Sequence, residues 1–309
     1  MIKGKVTNMF TRIISFITAL VMGTLFALNI GTIKPESYIV LRDVSYGEDE
    51  QQTFDLIIPE GIGNELSLAV YIHGGAWFGG DKSLEENTYK PMAEKRGMIS
   101  ANVNYRLLSM DKRELNCQTL LQDIDDAMNK IVEVCAENGY TIKKALMWGE
   151  SAGGHLALMY SYTCKDKSPV EIGLCYSICG PTDMTDTDFY SKTDFSVEQV
   201  FILQSALTGM DVNESNILDE KTQEELRKVS PAYNVSESSV PTIFNSCGRD
   251  KMVPTSNAKT LEKALKYYGV DYYYAHFKRS GHCGRRGPDF MTYTALDGKL
   301  GEMIDKYVK

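Results

Sequence analysis

The segment LMWGESAGGHLAL, residues 146–158, places one serine between two glycines at the junction of two apolar runs. Its central GESAG fits the pattern G-x-S-x-G, in which small neighbours let the chain turn sharply from a strand into a helix. Such a turn lifts the serine hydroxyl out of the sheet and points it at a cleft. The segment therefore predicts Ser151 as a nucleophile. The alternative is that glycine and serine serve here only as turn residues, and the strand-like and helix-like flanks argue against it.

A serine hydroxyl needs a base to become a good nucleophile, and the chain contains only four histidines. His73 begins a glycine-rich loop, His155 follows Ser151 on a predicted helix, and His276 lies within the apolar strand YYYAHF, where we expect it to be packed. His282 lies in the loop RSGHCG, just beyond the last predicted strand. Loops at the carboxyl ends of parallel strands carry the chemistry of such sheets. We therefore predict His282 as the base, with an ordinary surface histidine as the alternative.

The base in turn needs a buried carboxylate that orients its ring and stabilises its charged form. Asp250 lies in SCGRDKMVP directly after a predicted strand, whereas Asp271 and Asp289 lack that strand-end position. The order Ser151, Asp250, His282 along the chain is that of α/β-hydrolases and differs from the order in other serine-triad folds. These three residues are the predicted catalytic triad.

Hydrolysis through a tetrahedral intermediate also needs hydrogen-bond donors that point at its oxyanion. The loop in YIHGGAWFGGDK, residues 71–82, follows a predicted buried strand and is rich in small residues. We expect the donors to be the backbone amides of Gly75, Ala76 and Ala152. The loop contains neither G-K-[ST] nor G-x-G-x-x-G leading into a helix, which argues against a phosphate site.

Three neighbours of these residues are candidates for the substrate pocket. We predict that Trp77, Phe78 and Glu150 line it, although a plain core role for the two aromatic residues is an equally open alternative. We expect His73 to be a structural hydrogen-bonding residue that shapes the loop.

The elements that must position these residues alternate between short β-rich runs and helical runs, which is typical of a parallel sheet with crossover helices. The runs SYIVLRDVSY and QTFDLIIP precede any helix and are expected to form an antiparallel edge. Residues 182–229 interrupt the alternation and are predicted to form an inserted cap. The predicted buried strands are 66–73, 98–105, 144–149, 170–178, 241–248 and 271–277, and the clearest helices are 115–138, 152–162 and 256–268.

Composition narrows the possible partners. The 309 residues carry a net charge of −8 and form no basic stripe, so nucleic acid is not an expected partner. The seven cysteines show no C-x-x-C and no zinc-like spacing, and most lie in apolar runs, so we expect at least five to be small buried core residues. The sequence predicts no metal and no cofactor.

The N-terminus carries a different signal. Residues 13–33 contain no charge and follow three basic residues. This uncharged segment is long enough to form a membrane-spanning helix. The alternatives are a cleaved signal peptide or a buried core helix, and length and flanks favour the anchor. The basic flank predicts a cytoplasmic N-terminus and an extracytoplasmic body. We thus predict a signal-anchor or signal peptide over 1–33 and a catalytic domain over 34–309.

With these residues identified, the chain resembles the α/β-hydrolase superfamily. Within it, the chain is most similar to the hormone-sensitive-lipase-like esterases and the feruloyl and acetyl-xylan esterase-like group. The resemblance rests on TFDLIIP, HGGAWFGGDK, NVNYRL, GESAGGHLA, SPAYNV and CGRDKMVP followed by SGH. It implies an α/β-hydrolase fold and a metal-independent serine esterase, with the triad and oxyanion residues at the positions named above. Ala76 departs from the pattern, because lipase-like members often have glycine there.

These observations favour hydrolysis of a short-chain or aromatic acyl ester of a small alcohol or carbohydrate through an acyl-enzyme. One alternative is an amide-cleaving relative similar to kynurenine formamidases or peptidases. A second is a membrane-tethered binding module that has kept the fold and lost the chemistry. The complete set of nucleophile, acid and base argues against that module.

Overall fold

The predicted strands assemble into one sheet of eight strands in the computed structural model, which describes residues 35–112, 114–284 and 288–309. The order across the sheet is β1-β2-β4-β3-β5-β6-β7-β8. β1 pairs antiparallel with β2, β2 pairs antiparallel with β4, and every later pairing is parallel. The prediction of a mostly parallel sheet with an antiparallel edge is confirmed. The strands are β1 (Tyr38–Ser45), β2 (Thr53–Pro59), β3 (Glu65–Ile72), β4 (Ile99–Val103), β5 (Thr141–Glu150), β6 (Ile172–Ile178), β7 (Thr242–Cys247) and β8 (Tyr272–Phe277).

Helices cover both faces of this sheet. Those with a predicted counterpart begin and end within two residues of it. The sequence patterns did not single out four helices: α1, the last helix α7, and α4 and α5, which lie in the predicted cap. The helices are α1 (Glu86–Arg96), α2 (Cys117–Glu137), α3 (Ala152–Thr163), α4 (Val197–Thr208), α5 (Glu220–Lys228), α6 (Thr255–Tyr267) and α7 (Phe290–Tyr307).

The side chains of the central strands point alternately to the two faces of the sheet, so the core has two layers. Successive side chains of a strand point to opposite faces of a sheet. In β3, Leu68, Val70 and Ile72 accordingly belong to the apolar cluster that contains α2, α3 and α6. Ala69 and Tyr71 belong to the cluster that contains α1 and α7. Both faces of β3 are therefore buried, which explains why its sequence is a continuous apolar run.

The predicted cap occupies the connection between β6 and β7. It contains α4 and α5, together with a short 3₁₀ helix over Thr187–Tyr190. Ser196 caps the start of α4 by a reciprocal capping box with Gln199, and Gly209 ends the helix with φ 73°. Apolar side chains of the cap, among them Met184 and Leu207, join the cluster of α2, α3 and α6. The cap is thus packed onto the carboxyl edge of the sheet.

The predicted anchor or signal peptide over residues 1–33 lies outside the described residues. Within 35–112, 114–284 and 288–309, no helix is both long and apolar enough to cross a membrane.

Candidate active site

Ser151 lies at a strained turn between β5 and α3. Its backbone adopts φ 53° and ψ −123°, a left-handed conformation that costs free energy in a residue with a side chain. The turn also brings the backbone of α3 against β3. A Cβ atom added at Gly153 would lie 2.0 Å from the carbonyl oxygen of Ile72. The glycine is therefore required for close approach, and the predicted turn at the serine is present.

The three predicted triad side chains form one chain of hydrogen bonds. The Ser151 Oγ is 2.9 Å from the His282 Nε2, and the His282 Nδ1 is 2.8 Å and 3.0 Å from the two carboxylate oxygens of Asp250. These residues come from the turn after β5, the loop after β7 and the loop after β8. The geometry allows the imidazole to take the Ser151 proton through Nε2 while Nδ1–H donates to the carboxylate.

The carboxylate of Asp250 is fixed by its surroundings. Its side chain is only 2% exposed, and its Oδ1 accepts hydrogen bonds from the backbone amides of Met252 (2.8 Å) and Val253 (3.0 Å). The competing acids lie elsewhere: Asp289 accepts from the Arg279 amide, and Asp271 pairs with Lys306. In the described part of the chain, neither acid hydrogen-bonds to the imidazole.

The loop after β3 lies beside the serine and has backbone amides that are available as donors. Gly75, Ala76 and Trp77 have φ of 118°, 51° and 64°, so the chain bends sharply there. A Cβ added at Gly75 would lie 2.0 Å from the carbonyl oxygen of Gly79, which makes glycine necessary. Among the described residues, the amides of Gly75, Ala76 and Ala152 donate to no protein acceptor. Ala152 is the first residue of α3, where such an amide has no partner within the helix.

Buried polar contacts hold this loop in place from both ends. The imidazole of His73 stacks on Tyr105 with ring centroids 4.4 Å apart, and its Nδ1 lies 2.7 Å from the Gly74 carbonyl oxygen. This agrees with a structural role for His73. At the other end, Lys82 is 5% exposed and its Nζ pairs with Asp55 of β2 at 2.7 Å and with Asp43 at 2.5 Å.

His155 connects the loop to the cap. The Trp77 Nε1 donates to the His155 Nδ1 at 3.3 Å, and the His155 Nε2 lies 2.8 Å from the carbonyl oxygen of Val229, just after α5. This pattern requires the neutral ring with its proton on Nε2. Burial lowers the pKa of His155 to about 4, and the contact with Val229 only partly opposes that shift.

A cavity of about 400 Å³ opens above Ser151. The predicted pocket residues Trp77 and Glu150 line it, but Phe78 does not, because its ring packs against the core cluster of α2, α3 and α6. The cap and the loop after β7 add larger apolar side chains to the lining: Met184, Phe189, Phe195, Val200, Leu203, Met252 and Val253.

Sequence reasoning missed several residues of this site. Asp81 lines the cavity, and although burial alone would raise its pKa, hydrogen bonds from Ser83 and Asn104 lower it. The Asp-Lys dipeptide that ends the glycine-rich loop was the available signal for the buried Lys82 pair. No comparable signal marks the lining residues of the cap, because their spacing matches that of any amphipathic helix.

A comparison with models of known protein families identifies the family to which the chain belongs. A model of the family BD-FAE matches residues 54–265, which is more than half of the chain. The chain belongs to the BD-FAE family. This is a family of α/β-hydrolase esterases, and the resemblance stated above is confirmed.

The individual curated relatives are distant. The isoprenylcysteine alpha-carbonyl methylesterase ICME of Arabidopsis thaliana is 24% identical over 282 residues, which cover 87% of this chain and 61% of that protein. A kynurenine formamidase of Danio rerio is 29% identical over 147 residues, which cover 46% of this chain and 47% of that protein. The chain thus spans less than two thirds of the length of these curated relatives.

Solved structures share the fold. Esterase B of Lactobacillus rhamnosis in an inhibited form has a TM-score of 0.68 at 17% identity, with 94% of this chain and 95% of that chain covered. A truncated carbohydrate esterase from gut microbiota has a TM-score of 0.67 at 15% identity, with 89% and 99% covered. Together with the sheet order, these likenesses establish the α/β-hydrolase fold.

Proposed function

We propose that this protein is a metal-independent serine carboxylesterase that hydrolyses short-chain or aromatic acyl esters of small alcohols or carbohydrates through an acyl-enzyme. The observation that carries the proposal is the continuous hydrogen-bond chain from Ser151 through His282 to Asp250 at the floor of a largely apolar cavity. Membership of an esterase family supports the same conclusion.

Each step of the reaction has a group to perform it. His282 Nε2 takes the Ser151 proton while Oγ attacks the ester carbonyl, and Asp250 stabilises the imidazolium that forms. The oxyanion accepts hydrogen bonds from the amides of Gly75, Ala76 and Ala152. The imidazolium then gives its proton to the departing alcohol. A water molecule, activated by the same imidazole, releases the acid from the serine.

The cavity supports an apolar acyl group of modest size. Its cap side contributes aromatic and aliphatic side chains, whereas the carboxylates of Asp81 and Glu150 border it near the loop after β3. Hydroxyl groups of a sugar can donate to carboxylates, so we place the alcohol portion on that side. The carbohydrate esterase among the structural neighbours fits this assignment but shares only the fold at its level of identity.

The test compares the wild type with Ser151→Ala on p-nitrophenyl acetate, longer p-nitrophenyl esters and acetylated xylan. We expect turnover by the wild type, and loss of nearly all of it in the variant because no nucleophile remains. A residual rate of about 10³–10⁴-fold over water is compatible with oxyanion donors and binding alone. A wild type that hydrolyses none of these esters, or a variant equally fast, contradicts the proposal.

An amide-cleaving activity is a second candidate, favoured by the kynurenine formamidase relatives of Danio rerio and Salmo salar. Amide cleavage requires the imidazolium to protonate a poorer leaving group. Parallel assays with an aryl formamide and the matching aryl acetate ester separate the two activities. A fluorophosphonate that fails to label Ser151 would instead favour a binding module without chemistry. Anchoring by residues 1–33 and an extracytoplasmic location remain predictions.

A further inference from the structure

Two buried cysteine thiols lie beside the Asp250 carboxylate and a third interacts with one of them, and the proposed hydrolysis uses none of the three. Cys179 follows β6, Cys247 ends β7, and Cys283 follows His282 in sequence. The Cys179 and Cys247 Sγ atoms are 3.5 Å apart. Those two sulfurs and an Asp250 carboxylate oxygen all lie within 4.8 Å of one another. Two distant parts of the chain thus bring two soft sulfur atoms and one carboxylate oxygen together.

Cys283 reaches this cluster from the substrate side. It is half-buried and lines the cavity, and its Sγ is 3.8 Å from the carbonyl oxygen of Ile178. Its thiol also interacts with that of Cys179. An ion that enters the cavity therefore meets Cys283 before the two buried thiols.

The surroundings of Cys179 differ from those of an ordinary core cysteine. The amide of Asn245, which is 5% exposed, directs its Nδ2 at the Cys179 sulfur from 3.1 Å. The Asn245 Oδ1 is buried without a hydrogen-bond partner among the described residues.

We propose that Cys179, Cys247 and Asp250 bind a thiophilic divalent cation such as Zn²⁺ or Cd²⁺, with Cys283 as a fourth ligand on the cavity side. Zinc–sulfur bonds of about 2.3 Å in a tetrahedral site place two sulfurs about 3.8 Å apart. The observed separation of 3.5 Å therefore needs only a small adjustment. Each coordinating thiol loses its proton to solvent as its sulfur–metal bond forms.

The cation would act as an inhibitor. Asp250 is the carboxylate that holds the His282 Nδ1 at 2.8 Å. A cation on that carboxylate takes up the negative charge that stabilises the imidazolium during proton transfer. Inhibition therefore rests on the proposed function, whereas binding does not.

Binding is tested first, on the full chain kept reduced, by titration with Cd²⁺ and measurement of the near-ultraviolet absorbance of cadmium–thiolate bonds. We expect saturation in the wild type and in Ser151→Ala, which reports binding whether or not the protein is an esterase. Cys135→Ala is the matched control and should bind like the wild type. We expect Cys247→Ala to weaken Cd²⁺ binding by at least roughly 10–100-fold. That is the loss of metal affinity seen when a residue that hydrogen-bonds to a metal ligand is removed. Absence of thiolate absorbance in the wild type, or unchanged binding in Cys247→Ala, overturns the proposal.

A second experiment needs no variant. Cys164 and Cys283 are both half-buried, so they form an internal pair for thiol alkylation followed by peptide mass analysis. We expect Cd²⁺ to slow alkylation of Cys283 and to leave Cys164 unaffected, and equal rates at Cys283 with and without the ion overturn its role as a ligand. Ester hydrolysis that continues unchanged once the absorbance is saturated overturns the inhibitory role.

Discussion

Asp250 illustrates how single residues set the chemistry of this site. Two backbone amides of its own loop fix its Oδ1, and the His282 Nδ1 contacts both of its oxygens. The carboxylate is almost completely buried, so its charge acts on the imidazole with little screening by water. Orientation of the ring and stabilisation of its charged form therefore depend on one side chain.

The substitution Asp250→Asn tests this dependence. The amide keeps the shape but can present an N–H to His282 and favour the wrong tautomer. We expect kcat for p-nitrophenyl acetate to fall by about 10⁴-fold, the loss known for this change in a serine triad, with KM nearly unchanged. Asp271→Asn is the control, because that carboxylate pairs with Lys306 at the surface and should leave kcat within about twofold of the wild type. Similar rates for both variants would remove Asp250 from the triad.

At the scale of elements, one imidazole connects three parts of the fold. His155 lies on α3. It accepts a hydrogen bond from Trp77 of the loop after β3 and donates one to the carbonyl oxygen of Val229 at the end of the cap. Trp77 and Ala76 both have positive φ, so the loop keeps a conformation that its residues would not favour alone. We infer that this bridge helps to hold the loop amides in place.

The same bridge predicts a pH dependence of stability. The pKa of His155 is about 4 in the fold, against an ordinary value of 6.5. Between pH 6.5 and pH 4 the unfolded chain binds more protons than the folded protein. The stabilisation that comes from the neutral, buried His155 is therefore complete above pH 6.5 and is lost as the pH falls toward 4. The full difference between the two pKa values corresponds to about 3 kcal/mol in the free energy of unfolding. Urea unfolding at pH 7 and pH 4.5 measures this loss. The free energy of unfolding should decrease clearly less between these pH values in His155→Gln than in the wild type, because glutamine can keep both hydrogen bonds but does not titrate.

His276→Gln provides the comparison for that experiment. His276 is half-buried, and burial together with nearby Lys278 and Lys259 lowers its pKa as well, but by less than in His155. We therefore expect His276→Gln to retain most of the pH dependence of the wild type. An equal decrease in stability for the wild type and His155→Gln would show that His155 does not carry the effect.

How much could be predicted from the sequence differs between elements. The central strands and α3 were predictable because of their apolar runs and because a glycine-rich turn joins β5 to α3. Ser151, Asp250 and His282 each follow the end of a predicted strand. The contact of Trp77 with His155 was not, because it joins residues 78 positions apart through packing. Phe78 was misplaced because sequence does not reveal to which side of the strained loop each aromatic ring turns.

At the scale of the whole molecule, the cavity exists because two separate parts of the fold face each other. The carboxyl edge of the sheet supplies Ser151 and His282, and the cap between β6 and β7 supplies much of the apolar lining. In the proposed function, the reaction and the selectivity are therefore assigned to different elements. Changes in the cap should alter which esters are accepted without altering the triad.

Leu203→Trp in α4 tests that separation, since Leu203 lines the cavity and a larger ring there reduces the space for an acyl chain. We expect kcat/KM for p-nitrophenyl octanoate to fall by about 10–200-fold relative to that for the acetate, the range for a methylene in an apolar pocket. Leu218→Trp makes the same change on the cap at a side chain that is 87% exposed and does not line the cavity, so its chain-length profile should match the wild type. If Leu203→Trp slows both esters equally, the acyl chain does not lie against α4, and the alcohol would have to occupy the apolar side instead.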